Sequence, residues 1–214
     1  MKLSISIPAH NEENYIGKAL ESMPEDVEIV VVCNGCTDNT FKVVNAFSKE
    51  KNIKIFNLPE KGVSKARNYG AKMASGEKLV FMDADIVAGD GLLKSIAESE
   101  YTIGTCLVKP DVNKFVPKIL MHLKNLVHRF GTCSGVIFCT KEIFDKVGGF
   151  DETLELGEDG KFLRAAKKIG KYGVVKKHAI NSMRRFEKAG YRHICLFWVK
   201  RFFHPKEKRY EVIR

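Results

Sequence analysis

The sequence is poor in the features that mark membrane-spanning and disulfide-bonded proteins. Its 214 residues include one Trp and six Cys, and no apolar run approaches the roughly 20 residues that a membrane-spanning helix needs. The cysteines are scattered through apolar or turn-like stretches, as expected of reduced thiols rather than of a disulfide framework. The opening MKLSISIPAH has neither the apolar core nor the cleavage site of a signal peptide. These absences predict a cytoplasmic globular protein.

One cysteine pair has the spacing of a redox or metal motif. Cys33 and Cys36 stand in VVVCNGCTDNT. A zinc site would need a second pair of ligands, and Cys133 and Cys139, six residues apart, do not have the usual spacing. We therefore interpret Cys33 and Cys36 as ordinary strand and turn residues.

Acidic residues are fewer than basic ones. The 36 Lys and Arg residues outnumber the 26 Asp and Glu residues and give a formal net charge of +10. This balance predicts anionic partners, such as nucleotides, phosphorylated lipids, an acidic membrane surface or nucleic acid. With 44% hydrophobic residues, the chain has enough apolar material for the core of a single domain.

Strand-like and helix-like segments alternate in the first part of the chain. The strand-like stretches are KLSISI, VEIVVVC, IKIFNLP and KLVFMDAD, and the helix-like ones are NEENYIGKALESM, TDNTFKVVNAFSKE and KGVSKARNYGAKMAS. In the second of these helices, Thr37 or Asp38 is the candidate N-cap. The alternation predicts an α/β fold built from βαβ units around a mostly parallel sheet. About the first 90 residues would then form a nucleotide-binding type of half-domain.

Polar clusters follow three of these strands. They read PAHNEEN, NGCTD and DADIVAGD, and ligands of such sheets bind outside the carboxyl ends of the strands. In an extended segment Asp83 and Asp85 would point to the same side, where two like charges repel unless a cation lies between them. Mg²⁺ or Mn²⁺ prefers such oxygen ligands. The alternative is an Asx-rich turn that binds no metal.

Five motifs in order resemble the family 2 glycosyltransferases, which have the GT-A fold. ISIPAHNEENYIGKALESM resembles the family's opening strand and helix, and EIVVVCNGCTDNT its second-strand signature. KGVSKARNYGAKMASGEKLVFMDADI is similar to the segment that leads into its DxD motif, with Gly-x-x-x-Ala-Arg-Asn at 62–68. Further on, GTCSGVIFCTKEIFDKVGGFDETLELGEDGKFLRAAKKIG resembles the acceptor-side segment, with Gly-Gly-Phe-Asp-Glu at 148–152 and Glu-Asp at 158–159.

The resemblance implies a domain plan. One GT-A domain would cover residues 1–214, with a mostly parallel mixed sheet flanked by helices. Residues 1–90 would be its nucleotide-sugar-binding half, 91–190 its acceptor-binding half, and 191–214 a basic aromatic C-terminal segment.

The resemblance also implies a reaction and a donor site. A sugar would pass from a nucleoside diphosphate sugar to a hydroxyl acceptor, such as a glycan or a lipid-linked compound, with inversion at the anomeric carbon. By this resemblance, Pro8, Ala9 and Glu12 would line the nucleoside pocket, and Asn34 would contact the edge of the base. Arg67 would help to hold the base and the diphosphate. Asp83 would bind the ribose or the metal shell, and Asp85 would bind the metal directly. The metal, Mn²⁺ or Mg²⁺, would stabilise charge on the departing nucleotide.

An inverting reaction needs a base that takes the acceptor's proton. The resemblance assigns this role to Asp159, with Glu158 as the second candidate. From the residues alone, a helix N-terminal charge favoured by the macrodipole is the better interpretation of a carboxylate here, and the resemblance favours the catalytic role. Asp151 is a further acceptor-site candidate or a turn residue. Arg184 and Arg185, in NSMRRF, would contact the diphosphate or form a solvated basic face.

Two departures from the family pattern bear on specificity. Asn34 and Cys36 stand where the family commonly has Asp and Ser. Because an Asn side chain donates as well as accepts hydrogen bonds, this leaves room for a donor other than a uridine diphosphate sugar. The Gln-x-x-Arg-Trp signature of processive synthases is absent after the Glu-Asp pair, which favours single addition.

Two other functions stay open on the sequence. A nucleotidyltransferase of related fold would carry a Gly-rich loop with Arg or Lys after its first strand, where this chain has PAHNEEN. A non-catalytic sugar-nucleotide-binding protein would not need to keep Asp83, Asp85, Asp159 and Arg164 together.

The C-terminal segment interleaves aromatic and basic residues. Its aromatic residues include Phe197, Trp198, Phe202 and Phe203. Such a segment suits an anionic membrane surface or a lipid phosphate, which would place the protein peripherally at the inner face of a membrane. Nucleic acid is a disfavoured partner, and packing of the aromatics on the core is the plain alternative. His204 or His178 is a candidate third metal ligand.

Overall fold

The described part of the chain folds around one eight-stranded sheet. A computed structural model describes residues 1–128, 130–132, 135–154, 156–191 and 193–194. The strand order is β3-β2-β1-β4-β7-β6-β8-β5. The strands are β1 (Leu3–Ala9), β2 (Glu28–Asn34), β3 (Ile53–Leu58), β4 (Lys78–Met82), β5 (Ile86–Ala88), β6 (Ile103–Pro110), β7 (Val136–Thr140) and β8 (Tyr172–Asn181). The predicted α/β class with a mostly parallel mixed sheet is confirmed.

Most strands of the sheet run in the same direction. β1 pairs in parallel with β2 and β4, β2 with β3, and β6 with β8. β7 is antiparallel to both β4 and β6, and the short β5 is antiparallel to β8. The ends of β1, β2 and β4 therefore meet along one side, here called the carboxyl edge, and their starts along the opposite side, the amino edge.

Helices cover both faces of the sheet. They are α1 (Ile16–Glu21), α2 (Thr40–Phe47), α3 (Val63–Met73), α4 (Leu92–Glu98), α5 (Phe115–His128), α6 (Lys141–Val147), α7 (Glu158–Ala166) and α8 (Arg184–Ala189). Successive residues of β2 point to opposite faces, as the strand period requires. Val31 belongs to the cluster that includes residues of α1 and α2, whereas Val32 belongs to the cluster that includes residues of α3 and α7. This is why the VEIVVVC run is apolar throughout.

The first two helices begin later than the sequence predicts. α1 begins at Ile16 and has no acidic residue in its first turn. The reason is tertiary, because the amides of Glu12 and Glu13 are bound by the side chains of Thr40 and Asp38. α2 begins at Thr40 with Asn39 at the N-cap position, so the N-cap assignment to Thr37 or Asp38 is wrong.

A carboxylate is buried at the amino edge. Glu28, the first residue of β2, is 4% exposed and accepts hydrogen bonds from Ser4, Ser75 and Lys54. Burial alone would raise the pKa of Glu28, but these hydrogen bonds together lower it to about 2. The carboxylate joins the starts of β1, β2 and β3 to the loop before β4.

Among the described residues, no helix is both long enough and apolar enough to span a bilayer. Most of the predicted C-terminal segment, including Phe197, Trp198, Phe202, Phe203 and His204, lies outside the described residues.

Candidate active site

One arginine gathers three carboxylates at the carboxyl edge. The side chain of Arg67, on α3, is 5% exposed. Its Nη1 donates to Glu158 Oε1 at 2.9 Å and to Asp159 Oδ1 at 2.5 Å, and its Nη2 donates to Asp83 Oδ1 at 2.8 Å. With one positive and three negative charges, the group keeps a formal excess of two negative charges. We call these four residues the Arg67 cluster.

Each carboxylate of the Arg67 cluster is held at the end of an element. Asp83 follows β4, and its amide donates to the carbonyl of Gly135 at 3.0 Å. Gly135 has φ +75°, and a Cβ there would lie 2.8 Å from the Asp83 carboxylate, so the close approach requires glycine. Glu158 and Asp159 form the first turn of α7, where the helix macrodipole favours negative charge.

An aromatic ring packs against the guanidinium of Arg67. Phe150 packs with its ring centroid 5.2 Å from Arg67 Cζ, and Phe150 stacks on Phe162 at 4.4 Å. Asn68, the neighbour of Arg67, binds both the carbonyl and the amide of Phe150 at 2.8 Å. The Ala-Arg-Asn run on α3 thus positions the Gly-Gly-Phe loop against the ion cluster, a role for Asn68 that the sequence did not predict.

The pKa of Asp159 is raised to about 7. Burial is the largest cause, and the neighbouring carboxylates of Glu158 and Asp83 add to it, while Arg67 opposes it. A single guanidinium cannot neutralise three carboxylates, so the cluster can retain one proton near neutral pH.

A second arginine holds two more carboxylates. Arg184, the first residue of α8, donates from Nε to Asp85 Oδ2 at 3.0 Å and from Nη2 to Glu12 Oε1 at 2.7 Å. Its guanidinium carbon lies 4.0 Å from the ring centroid of Tyr15, within cation–π range. Burial and the charge of Asp83 raise the pKa of Asp85 to about 6, against the lowering effect of Arg184. Arg184, Asp85, Glu12 and Tyr15 form the Arg184 cluster.

The DxD segment does not have the predicted geometry. Residues 83–85 do not continue β4 but form a turn, in which the Ile86 amide donates to the Asp83 carbonyl at 3.2 Å. The expectation that an extended backbone aligns the two carboxylates is therefore wrong. In the described structure Asp83 binds Arg67 and Asp85 binds Arg184.

His178 is not placed to join Asp85 as a metal ligand. β8 pairs Asn181 with Ile86, the residue after Asp85, and His178 lies three residues earlier on β8, about 10 Å along the strand. Within the described ranges, no group of three His, Cys, Asp or Glu side chains is arranged to hold a metal ion. Any cation here would need ligands from elsewhere, such as a bound phosphate.

The residues predicted to line the nucleoside pocket lie at the ends of β1 and β2. Pro8 and Ala9 are buried in β1, and the Asn34 side chain is buried beside them. Asn34 Nδ2 donates to the Ala9 carbonyl at 2.8 Å, and its Oδ1 accepts from the Gly62 amide at 3.1 Å. The amide of Asn34 thus joins β1 to the start of α3. Its contact with a nucleobase stays a prediction.

The remaining candidate residues lie outside the Arg67 and Arg184 clusters. Asp151 accepts hydrogen bonds from Thr153 and Lys161, the contacts of a turn residue, and Arg164 is exposed on α7. Cys33 is buried in β2, and Cys36 follows the strand and donates to the Ala9 carbonyl at 3.3 Å. Their interpretation as ordinary strand and turn residues stays a prediction.

The sequence signal for the second cluster was weak. Arg184 was predicted only as one of two possible phosphate contacts, with a solvated basic face as the alternative. Arg184 lies 172 residues from Glu12 and 99 from Asp85 along the chain, so only folding brings them together.

The chain is similar to known sugar-transferring proteins. The sequence profile of glycosyl transferase family 2 matches residues 4–149. Validoxylamine A glucosyltransferase of Streptomyces hygroscopicus subsp. limoneus is 32% identical over 119 residues, which cover 49% of this chain and 26% of that protein. Poly(ribitol-phosphate) beta-N-acetylglucosaminyltransferase TarS of Staphylococcus aureus is 33% identical over 105 residues, which cover 45% of this chain and 18% of that protein.

The fold has a solved counterpart. The crystal structure of S. aureus TarS 1–349 in complex with UDP-GlcNAc has a TM-score of 0.72 and 25% sequence identity, with 85% of this chain and 58% of that chain covered. The chain thus spans about a quarter or less of the two curated relatives' length. Because the family profile matches more than half of the residues and the fold agrees, the chain belongs to glycosyl transferase family 2.

Proposed function

We propose that this protein transfers a sugar from a nucleoside diphosphate sugar to a hydroxyl acceptor, with inversion at the anomeric carbon. The observation that carries the proposal is the Arg67 cluster, which holds Asp159 and Asp83 on one guanidinium at the carboxyl edge of the sheet. Two relatives named as glycosyltransferases and a similar structure with bound UDP-GlcNAc support the class of donor.

Asp159 is the proposed general base. It takes the proton of the acceptor hydroxyl while that oxygen forms a bond to the anomeric carbon and the bond from this carbon to the diphosphate breaks. The nucleoside diphosphate leaves with the electron pair of the broken bond. A carboxylate with a pKa of about 7 is suited to accept a proton near neutral pH. Arg67 holds this carboxylate in place, and Glu158, bound to the same nitrogen of Arg67, is the second candidate.

The Arg184 cluster fits a divalent cation that shares its ligands with a diphosphate. Asp85 and Glu12 supply carboxylate oxygens, and Glu12 Oε2 is buried with no hydrogen-bond partner among the described residues. One or two carboxylates plus substrate phosphates are a usual set for Mg²⁺. Such a cation would neutralise charge on the departing diphosphate. Asp83, next to this site, would contact the ribose or the outer ligands.

Arg184 is the proposed contact for the donor diphosphate. Its single positive charge offsets part of the negative charge of Asp85 and Glu12. We infer that Arg184 turns from these carboxylates toward the diphosphate when donor and cation bind. Pro8, Ala9 and Asn34 lie beside this site at the ends of β1 and β2 and would form the nucleoside side of the pocket.

The test is donor turnover with defined carboxylate variants. Purified protein would be incubated with a panel of nucleoside diphosphate sugars and hydroxyl acceptors, with and without Mn²⁺ or Mg²⁺, and released nucleoside diphosphate measured. We expect Asp85→Ala to abolish metal-dependent donor binding, and Asp159→Asn to keep binding while losing transfer. Asp145→Asn, an exposed aspartate on α6, is the matched control and should behave as wild type.

Other outcomes would identify another function. Release of pyrophosphate from a nucleoside triphosphate would show a nucleotidyltransferase. Donor binding without any release, across acceptors, would favour a sugar-nucleotide-binding protein. Wild-type turnover in Asp159→Asn would exclude Asp159 as the base.

A further inference from the structure

Helix α5 carries its apolar residues on the outside. Phe115 is 78% exposed and Leu123 52% exposed, and Phe130, just after the helix, is 80% exposed. The exposed large apolar residues of this region are Phe115, Val116, Ile119, Leu123, Leu126, Val127 and Phe130. At 3.6 residues per turn, the six of these residues that lie on α5 fall within one sector of about 120°. We call this surface the α5 apolar face.

The orientation of α5 is set by contacts on its opposite side. Pro117, Met121 and His128 are the buried residues of the helix. The Asn125 side chain binds both backbone groups of Val108 in β6, at 2.8 and 2.9 Å. These contacts prevent the helix from rotating its apolar face into the core, so the outward position belongs to the fold.

The charged residues in the stretch that forms this surface, 112–131, have one sign. From Val112 to Gly131 the sequence has no Asp or Glu, while it has Lys114, Lys118, Lys124 and Arg129. At the start of this stretch, Lys114 pairs with Glu187 of α8 at 2.9 Å. An apolar sector with cationic flanks is the pattern of a helix that lies in the interface of an anionic bilayer.

We propose that the α5 apolar face docks on an anionic lipid bilayer. Phe115, Leu123 and Phe130 enter the boundary between headgroups and acyl chains, and Lys118 and Lys124 at the flanks face the lipid phosphates. A second copy of the chain is the less suitable occupant, because a two-fold contact through this face would bring two sets of lysines together. This proposal is independent of the sugar-transfer proposal, since none of these residues belongs to the Arg67 or Arg184 cluster.

Vesicle flotation of the full chain tests the proposal. The probes are vesicles of phosphatidylcholine alone and of phosphatidylcholine with phosphatidylglycerol at about three to one. We expect binding to the anionic vesicles that weakens with added salt. The triple variant Phe115→Gln, Leu123→Gln, Phe130→Gln should lose about tenfold or more in affinity. The matched control, Phe41→Gln with Ile169→Gln, changes exposed apolar residues on other surfaces and should bind as wild type.

Further variants distinguish the competing occupants. Absence of wild-type binding to anionic vesicles would overturn the proposal. Unchanged binding of the triple variant, with loss in Trp198→Gln, Phe202→Gln, would assign the contact to the C-terminal segment instead. A wild-type dimer that the triple variant converts to a monomer would make the face an interface between copies. If the triple variant misfolds, Lys118→Glu serves, with an expected loss of several-fold against Lys94→Glu. Donor turnover in solution should be unchanged in all α5 variants.

Discussion

The two edges of the sheet bury carboxylates in opposite electrostatic states. At the amino edge, Glu28 is 4% exposed and has a pKa lowered to about 2. At the carboxyl edge, the Asp159 side chain is 27% exposed and its pKa is raised to about 7. The less accessible group is thus the one that ionises more readily, so exposure alone does not decide the difference.

The difference lies in the partners of each carboxylate. Glu28 is a single negative charge that receives hydrogen bonds from an amide, two hydroxyls and a lysine. Asp159 shares one guanidinium with Glu158 and Asp83. Satisfied carboxylates stabilise a fold, whereas crowded ones are suited to exchange protons. The comparison thus separates a carboxylate with satisfied hydrogen bonds at the amino edge from crowded carboxylates at the carboxyl edge, where we propose that the chemistry takes place.

The largest expected effect is on catalysis. Asp159→Asn should lower the turnover of sugar transfer by about 10² to 10⁴ because it removes the proposed base, with little change in donor affinity. Glu28→Gln should leave turnover of the folded protein unchanged. Single-turnover kinetics with calorimetric donor titration would measure both. Equal losses of turnover in the two variants would remove the functional distinction between the edges.

Removing the positive charge of Arg67, which three carboxylates share, should strongly destabilise the protein. Arg67→Met leaves three carboxylates together without their guanidinium, and we expect the free energy of unfolding to fall by about 3–5 kcal/mol. Urea denaturation at neutral pH measures this change. Arg164→Met, at an exposed position on α7, is the control and should change stability little. A loss no larger than the control's would show that Arg67 is not needed to hold the cluster.

Removing the charge at the amino edge should have a smaller effect. In Glu28→Gln an amide group replaces an oxygen that accepts several hydrogen bonds, at an expected cost of about 1–3 kcal/mol in the free energy of unfolding. Glu142→Gln on α6, an exposed pair with Lys146, should cost far less. Thermal and urea unfolding of both variants would measure the two losses of stability. Equal losses in Glu28→Gln and Glu142→Gln would contradict the prediction.

The pH dependence of stability should differ in sign between the edges. Between pH 3.8 and about 7 the folded state keeps the Asp159 proton that the unfolded state has lost, so this group lowers the free energy of unfolding as pH rises. Glu28 contributes stability above its ordinary pKa of 4.5 that is lost as pH falls toward about 2. From about pH 5 to pH 8, Asp159→Asn should therefore lose less stability than wild type, by about 2–3 kcal/mol. Urea denaturation of both proteins at pH 5 and pH 8 measures this difference. If the free energy of unfolding changes with pH equally in Asp159→Asn and wild type, the pKa of Asp159 is not raised.

Much of the fold was predictable because its signals are local. The apolar run of β2 and the helical spacing of α3 each lie within one segment, and the confirmed α/β class follows from their alternation. The predicted start of α1 was wrong because the side chains of Thr40 and Asp38, far along the chain, bind the amides of the two glutamates that precede the helix. The division into a donor half and an acceptor half stays a prediction.

The sequence predicted which residues belong to the candidate site better than it predicted which of them contact each other. Strand ends and family motifs named Arg67, Asp83, Asp85, Asp159 and Arg184 from the sequence. They did not indicate that Asp83 and Asp85 would face different arginines, because the chain turns at residues 83–85 and Arg184 is brought to Asp85 only by folding. The outward apolar face of α5 was also missed, since helical spacing reveals a stripe but not the side on which the core lies.

The sequence by itself determined the succession of strands and helices, the positions of the polar strand ends and the family. Tertiary structure decided which charge each carboxylate meets. Arg67 lies 92 residues from Asp159 along the chain, and Arg184 lies 172 residues from Glu12. Ionisation depends on separations of a few ångströms in a partly desolvated site, and only the folded chain sets those separations.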